Sequence, residues 1–160
     1  MIKIANPFKD SEGYYCFGCC KENPAGVHME FYEDGDDVVC FWKPSAEYQG
    51  WVDTLHGGIQ ATLLDETAAW VVFRKKQTIG VTSGLELKYK RPVKTTDTML
   101  TLRGRITGQV RNFVTIELTL QNSQMEVCTE AKATYYLYPQ EKSAEMGFGG
   151  CGTEGEEILL

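Results

Sequence analysis

The sequence predicts an α+β domain in which a curved antiparallel sheet of about six strands wraps one long central helix. Three observations carry this reading. Residues 57–74 contain Ile59, Leu63, Leu64, Ala68, Trp70, Val71, Val72 and Phe73, which fill most faces of a helical wheel. Segments of alternating polar and apolar residues flank that stretch, two before it and four after. No repeat or internal linker interrupts the order. A helix apolar nearly all round must be buried, and one sheet with an oily face buries it by curling around it.

Residues 1–26 carry Pro7, Gly13, Gly18, Pro24 and Gly26 without sustained periodicity and read as an arm of loops. From there Val27, Met29 and Phe31 alternate with His28, Glu30 and Tyr32. A turn over 33–36 and a second strand through Val39 and Phe41 complete a hairpin. After the helix, alternating segments over 79–90, 98–107, 110–120 and 126–138 read as a four-strand meander, with turns at Thr107-Gly108-Gln109 and Gln121-Asn122-Ser123. In the first of these, Leu85, Leu87 and Tyr89 oppose Glu86, Lys88 and Lys90. Beyond Pro139 the chain turns acidic and Gly-rich, a composition that packs poorly. The expected division is an arm with a Cys-rich loop over 1–26, a folded domain over 27–138 and a flexible acidic tail over 139–160. A sheet closed around one helix in this order is the architecture called a hotdog fold.

At 160 residues the chain can build one full core. Its 42% hydrophobic and 24% charged residues are those of an ordinary globular protein. A net charge of −6 argues against a nucleic-acid partner, which needs concentrated Lys and Arg. The N-terminus shows no basic start followed by an apolar run, so no secretory signal is read. The longest apolar run, over 68–73, falls far below the roughly 20 residues that span a bilayer, so no membrane partner is expected. Six cysteines without a visible signal point to reduced thiols and a cytoplasmic setting.

Asp65 is out of place in such a helix. Ala61, Ala68, Ala69 and Val72 share its side, and its neighbours in sequence offer no charge partner. Burying a lone carboxylate costs several kcal/mol unless donors reach it, so chemistry is the stronger reading. Glu66 points about 100° away, between Thr62 and Trp70, and reads as a solvated rim acid. His56, Gly57 and Gly58 stand where loop becomes helix, and glycines there let a substrate oxygen approach free N–H groups at the positive end of the dipole. Eight residues separate Gly57 from Asp65, about 12 Å along one helix, so a single carbonyl cannot touch both. Two copies about a two-fold can bring one helix start to the middle of the other helix. A homodimer at minimum is expected, with dimer and tetramer both open.

The run HGGIQATLLDETAAW resembles the HGG-x6-D signature of the phenylacetic-acid-degradation-type (PaaI-like) branch of hotdog thioesterases. CFGCCKENPAGVHMEF resembles an opening common in that branch, and GVTSGLELKYKRPV its strand ending in Y-x-R-P, so the likeness covers roughly 16–138. The resemblance implies hydrolysis of a fatty or aromatic acyl-CoA, with Asp65 as general base or nucleophile and Gly57 or Gly58 giving the oxyanion N–H. It further implies that His56 orients the loop, that Thr82 lies near the site, and that Gln49 stands where relatives often carry an Asn that holds water.

Lys88, Lys90, Arg91 and Lys94 form the densest basic stretch and are candidate anchors for CoA phosphates, read evenly against an ordinary solvated strand face. The C-x-x-C spacing of Cys16 and Cys19 lacks a second pair, so no metal and no cofactor beyond the CoA of the substrate is expected. Two rivals stand beside hydrolysis. One is a non-catalytic acyl-CoA-binding or regulatory module on the same fold. The other is a dehydratase, held lower because His56 lies at the helix entry rather than beside an acid on the helix.

Overall fold

A computed structural model describes residues 1–155. Among the described residues there are seven strands: β1 (Ile2–Lys3), β2 (Phe31–Asp34), β3 (Asp37–Trp42), β4 (Gly80–Tyr89), β5 (Leu100–Val110), β6 (Phe113–Gln121) and β7 (Val127–Leu137). They form one sheet, every pair antiparallel, in the order β1-β2-β3-β5-β6-β7-β4. Helix α1 (Gly57–Lys76) lies in its concave face and packs against β3 to β7. This is the hotdog architecture.

The wrapping follows from what each element must bury. Leu63, Leu64, Ala68, Val71 and Val72 of α1 lose all contact with water, as do Leu100, Leu102, Ile116 and Leu120 of the strands beneath. Each such Leu, Ile or Val side chain contributes about 1.5–3 kcal/mol on burial, and the Ala68 methyl less. Gly104 of β5 lies under the helix, where an added Cβ would come within 3.0 Å of Leu118 and 3.2 Å of Val71. The helix ends at Gln77 in the left-handed region, and Arg74 and Lys75 of its last turn both pair with Glu33 of β2. Cations suit that end of the dipole.

The order of strands departs from a four-strand meander. Only β5, β6 and β7 follow one another; β4 crosses to the far edge and pairs with β7, while β5 joins β3. Alternation reveals which face of a strand is oily but not which strand lies beside it. The first hairpin is shorter than its alternation predicts, with residues 27–30 outside it. Val27 and Met29 donate instead to the carbonyls of Phe17 and Gly18 in the arm, and His28 has a positive φ of 53° that breaks the extended run. The β5–β6 turn sits at Arg111-Asn112, with Arg111 at φ 54°, while Gly108 lies inside β5 beside a bulge.

The flexible tail is corrected over 139–155. Helix α2 (Gln140–Glu145) places Ser143 Oγ on the Ile79 N–H at 2.9 Å. Phe148 packs against Phe8 and Phe73, and Thr153 bridges to Ile4. Gln77 holds Cys151 on both sides, donating to its carbonyl at 2.8 Å and accepting from its N–H at 2.9 Å. Composition misled here because a few anchors suffice to dock a polar segment on the open end of a core. Residues 156–160, the end of the expected tail, lie outside the described residues. Among the described residues no helix is long and apolar enough to cross a membrane.

If residues 139–155 close the core, Phe148→Ala lowers unfolding stability by on the order of 3 kcal/mol, read from urea midpoints. A loss under about 0.5 kcal/mol, the scale of a surface substitution, would return the segment to a loose tail.

Candidate active site

Asp65 sits midway along α1, half-buried, on the side of the helix next to β4. Thr82 of β4 and Tyr135 of β7 are register partners across those two strands, and both side chains converge on it. Thr82 Oγ1 donates to Asp65 Oδ1 at 2.9 Å, and the Tyr135 hydroxyl donates to the same oxygen at 2.6 Å. The Tyr135 hydroxyl also lies 2.8 Å from the Asp65 carbonyl oxygen. A bulge after Thr82 shifts the register between Thr82 and Gly84, a feature that re-aims side chains next to sites. Among the described residues Oδ2 has no hydrogen-bond partner, and no cation pairs with the carboxylate. One oxygen is pinned by neutral donors and the other is open.

Tyr135 is 2% exposed. Burial, and after it the neighbouring Asp65 carboxylate, push its phenol far above the ordinary value of about 10, so it stays a proton donor. Sequence reading missed this residue. Its signal lay in β7, where Thr129, Ala131, Ala133, Tyr135 and Leu137 face inward. A tyrosine on a buried face needs a partner for its hydroxyl.

The entry of α1 forms a second cluster. His56 is the N-cap, and its Nδ1 accepts the Gly58 N–H at 2.8 Å. The Gly58 amide is therefore occupied, whereas the Gly57 N–H has no acceptor among the described residues. The Tyr89 hydroxyl donates to the Gly57 carbonyl at 2.8 Å and ties the end of β4 to the helix start. Gln49, Tyr48, His56, Gly58 and Phe17 of the arm line a cavity of 410 Å³. Gln49 Oε1 accepts the Asp53 N–H at 3.3 Å. Asp65, Thr82 and Tyr135 do not line this cavity. The chain thus presents two candidate clusters, a carboxylate and a helix entry with an open amide, set apart along one helix.

The four basic residues do not gather at either cluster. Lys90 pairs with Glu130 at 2.6 Å and Arg91 with Glu126 at 3.3 Å, both exposed. Lys88 lies on the outer face of the sheet with Glu86, Glu117 and Lys132. Lys94 is the exception, since it bridges to Thr54 in the loop that leads into the helix. Glu66 is not a solvated acid. Its Oε1 accepts the Trp70 indole N–H at 3.0 Å and lies 3.6 Å from Cys16 Sγ of the arm.

Residues 53–129 match the thioesterase superfamily. No curated protein matches the chain. Among solved structures, the thioesterase superfamily protein RHA08564 is similar at 23% identity and a TM-score of 0.69, over 76% of this chain and 62% of that one. This chain therefore spans less than two thirds of that relative. A hypothetical thioesterase protein with coenzyme A from Streptococcus pneumoniae is similar at 25% identity and a TM-score of 0.65, over 70% of this chain and 87% of that one. The PaaI protein of the E. coli phenylacetic acid degradation operon is similar at 17% identity and a TM-score of 0.64, over 71% and 81%. These likenesses agree with the fold described above.

A phenol that keeps its proton in the folded state contributes stability in full below the unfolded value of about 10, and that contribution is lost as pH rises beyond it. Urea midpoints of the wild type should therefore fall as pH climbs above about 10, and those of Tyr135→Phe should fall less steeply. Equal slopes would mean that Tyr135 is not held in this environment.

Proposed function

We propose, for a chain whose residues 53–129 belong to the thioesterase superfamily, that it hydrolyses an acyl-CoA thioester at a site shared between two copies. The observation that carries this is Asp65 Oδ2, a carboxylate oxygen without partner beside one fixed by two hydroxyls. Such an oxygen can take a proton from water. Thr82 Oγ, 2.9 Å from the carboxylate and exposed, can accept from the same water and aim it.

The attacked carbonyl develops negative charge on oxygen. The Gly57 amide, open where the Gly58 amide is not, and the positive end of α1 would receive it. Gln49 would add its side-chain amide from the other side of the entry. Collapse of the tetrahedral oxygen breaks the C–S bond, and the leaving CoA thiolate takes the proton carried by Asp65. The scheme uses protein groups and water alone. Lys94, beside the entry loop, is the basic residue best placed for a CoA phosphate. The Streptococcus pneumoniae structure, similar in fold and carrying coenzyme A, supports that substrate class.

Two copies are required because about 12 Å of helix separates Gly57 from Asp65. β4 offers the surface. It is ten residues long, pairs on one side with β7 alone, and leaves Val81, Thr82, Ser83 and Tyr89 exposed. A free edge of that length is a template for a second chain.

Asp65→Asn should lower free-thiol release from a panel of fatty and aromatic acyl-CoAs by roughly 10²–10⁴-fold, the range for loss of a general base. Wild-type protein that binds acyl-CoA but releases no thiol would mark a binding module instead. In single turnovers in heavy-oxygen water, the label should enter the freed acid; label retained on Asp65 would make that residue the nucleophile.

Co-expression of Asp65→Asn with Gly57→Val, each inactive alone, should restore about a quarter of wild-type activity. Half the dimers formed at random are mixed, and each mixed dimer carries one intact site. No recovery would confine the site to a single chain.

A further inference from the structure

Outside the proposed active site, the arm and α1 enclose a second cluster of reactive groups. Cys16, Cys19 and Glu66 bring two thiol sulfurs and a carboxylate oxygen within 4.8 Å of one another. The loop is wound tightly around the acid, for a Cβ on Gly18 would lie 2.4 Å from the Glu66 carboxyl carbon. All three donors are anionic in their ligating forms. Among the described residues no Lys, Arg or His reaches Glu66, whose partners are the Trp70 indole and Cys16.

The geometry points to a zinc ion held by Cys16 Sγ, Cys19 Sγ and Glu66 Oε1, with solvent in the fourth position. Two thiolates favour zinc over a hard cation such as magnesium or calcium. Bonds of about 2.3 Å to sulfur and 2.0 Å to oxygen at tetrahedral angles require a sulfur–oxygen separation near 3.5 Å. Cys16 Sγ and Glu66 Oε1 already stand 3.6 Å apart. Each ligand also has an outer partner to orient it. The Gly18 N–H donates to Cys16 Sγ at 3.3 Å, the Tyr14 hydroxyl lies 2.9 Å from Cys19 Sγ, and the Trp70 indole holds Glu66. A cavity of 280 Å³ lined by Tyr14, Cys19, Met29, Glu30 and Trp70 gives an ion a way in. The chain folds back at this point through the Cys20 N–H on the Cys16 carbonyl, the short knuckle that a C-x-x-C ligand pair needs.

Such an ion would clamp the arm to α1. Phe17, inside the turn that joins Cys16 to Cys19, lines the cavity at the helix entry, so the clamp would also fix one wall of the proposed substrate cleft. It does not depend on the hydrolytic reading, since the readouts below are metal content and stability.

Full-length protein loaded with zinc sulfate and desalted should retain one zinc per chain by mass spectrometry, and the cobalt form should show a thiolate-to-cobalt charge-transfer band. Cys16→Ser with Cys19→Ser should lose both. Glu66→Gln, nearly isosteric, should keep the fold and bind zinc at least roughly tenfold more weakly. A chelator should lower the Tm of the wild type and leave that of the double variant unchanged. Wild-type protein that retains no metal, a cobalt form without the thiolate band, or zinc affinity untouched in Glu66→Gln would overturn the site. So would a Cys16–Cys19 disulfide in protein purified with zinc present, which would make the pair a redox couple.

Discussion

The constraint on which this molecule depends is that α1 must be kept dry on more sides than a flat sheet can cover. Leu63, Leu64, Thr67, Ala68, Trp70, Val71 and Val72 are all buried, and together they exceed one face of a helix. The sheet curls until β4 reaches the flank of α1. A single curled sheet still has two edges, so a seam is left. Gly58, Ala61, Thr62, Asp65 and Ala69 are open or half-buried in that seam. The carboxylate therefore lies where hydrophobic closure runs out, within reach of core residues such as Tyr135 and of an incoming ligand.

How Asp65 is held sets it apart from the acids that serve the fold. Glu33 is tied to Arg74 and Lys75, and Asp37 to Arg103 and Arg105. For both, burial alone would raise the carboxyl, but hydrogen bonds from those cations outweigh it and keep each acid below its usual range. Asp65 receives only neutral hydroxyls, from Thr82 and Tyr135. Two hydroxyls fix the direction of a carboxylate without cancelling its charge. The acids that hold the protein together are paired with cations, and Asp65 is not. The raised phenol of Tyr135 belongs to the same arrangement, since a donor that cannot ionise near neutral pH never competes with Asp65 for a proton.

The helix, the inward faces of the strands, the carboxylate within the helix and the glycines at its entry could be read from residues alone, because each rests on local periodicity or on one residue that violates it. Asp65 violates the apolar helix, and the glycines at 57–58 violate helix propensity at its start. The position of β4, the Thr82–Tyr135 pair and the surroundings of Glu66 could not be read in the same way. Each depends on which distant segment lies alongside, and alternation is silent on that. Residues 27–30 show the limit well: they alternate like a strand, yet the amides of Val27 and Met29 are spent on the arm, which carries no period at all. In the basic stretch at 88–94, read evenly as phosphate anchor or solvated face, side-chain pairing gives Lys90 and Arg91 to Glu130 and Glu126.

Adjacent acids on one helix face about 100° apart, and this chain gives the two directions different employment. Asp65 looks into the seam. Glu66 looks toward the arm, where Trp70 fixes it and the turn through Gly18 closes over it. Any shift of the arm must then act on α1 one residue away from Asp65, and through Phe17 on the cleft at the helix start as well. Past β1 the arm lies outside the curled sheet, but it touches α1 beside Asp65 and at the helix entry. That placement explains why Cys19 and Cys20, in a turn that belongs to no strand or helix, are buried.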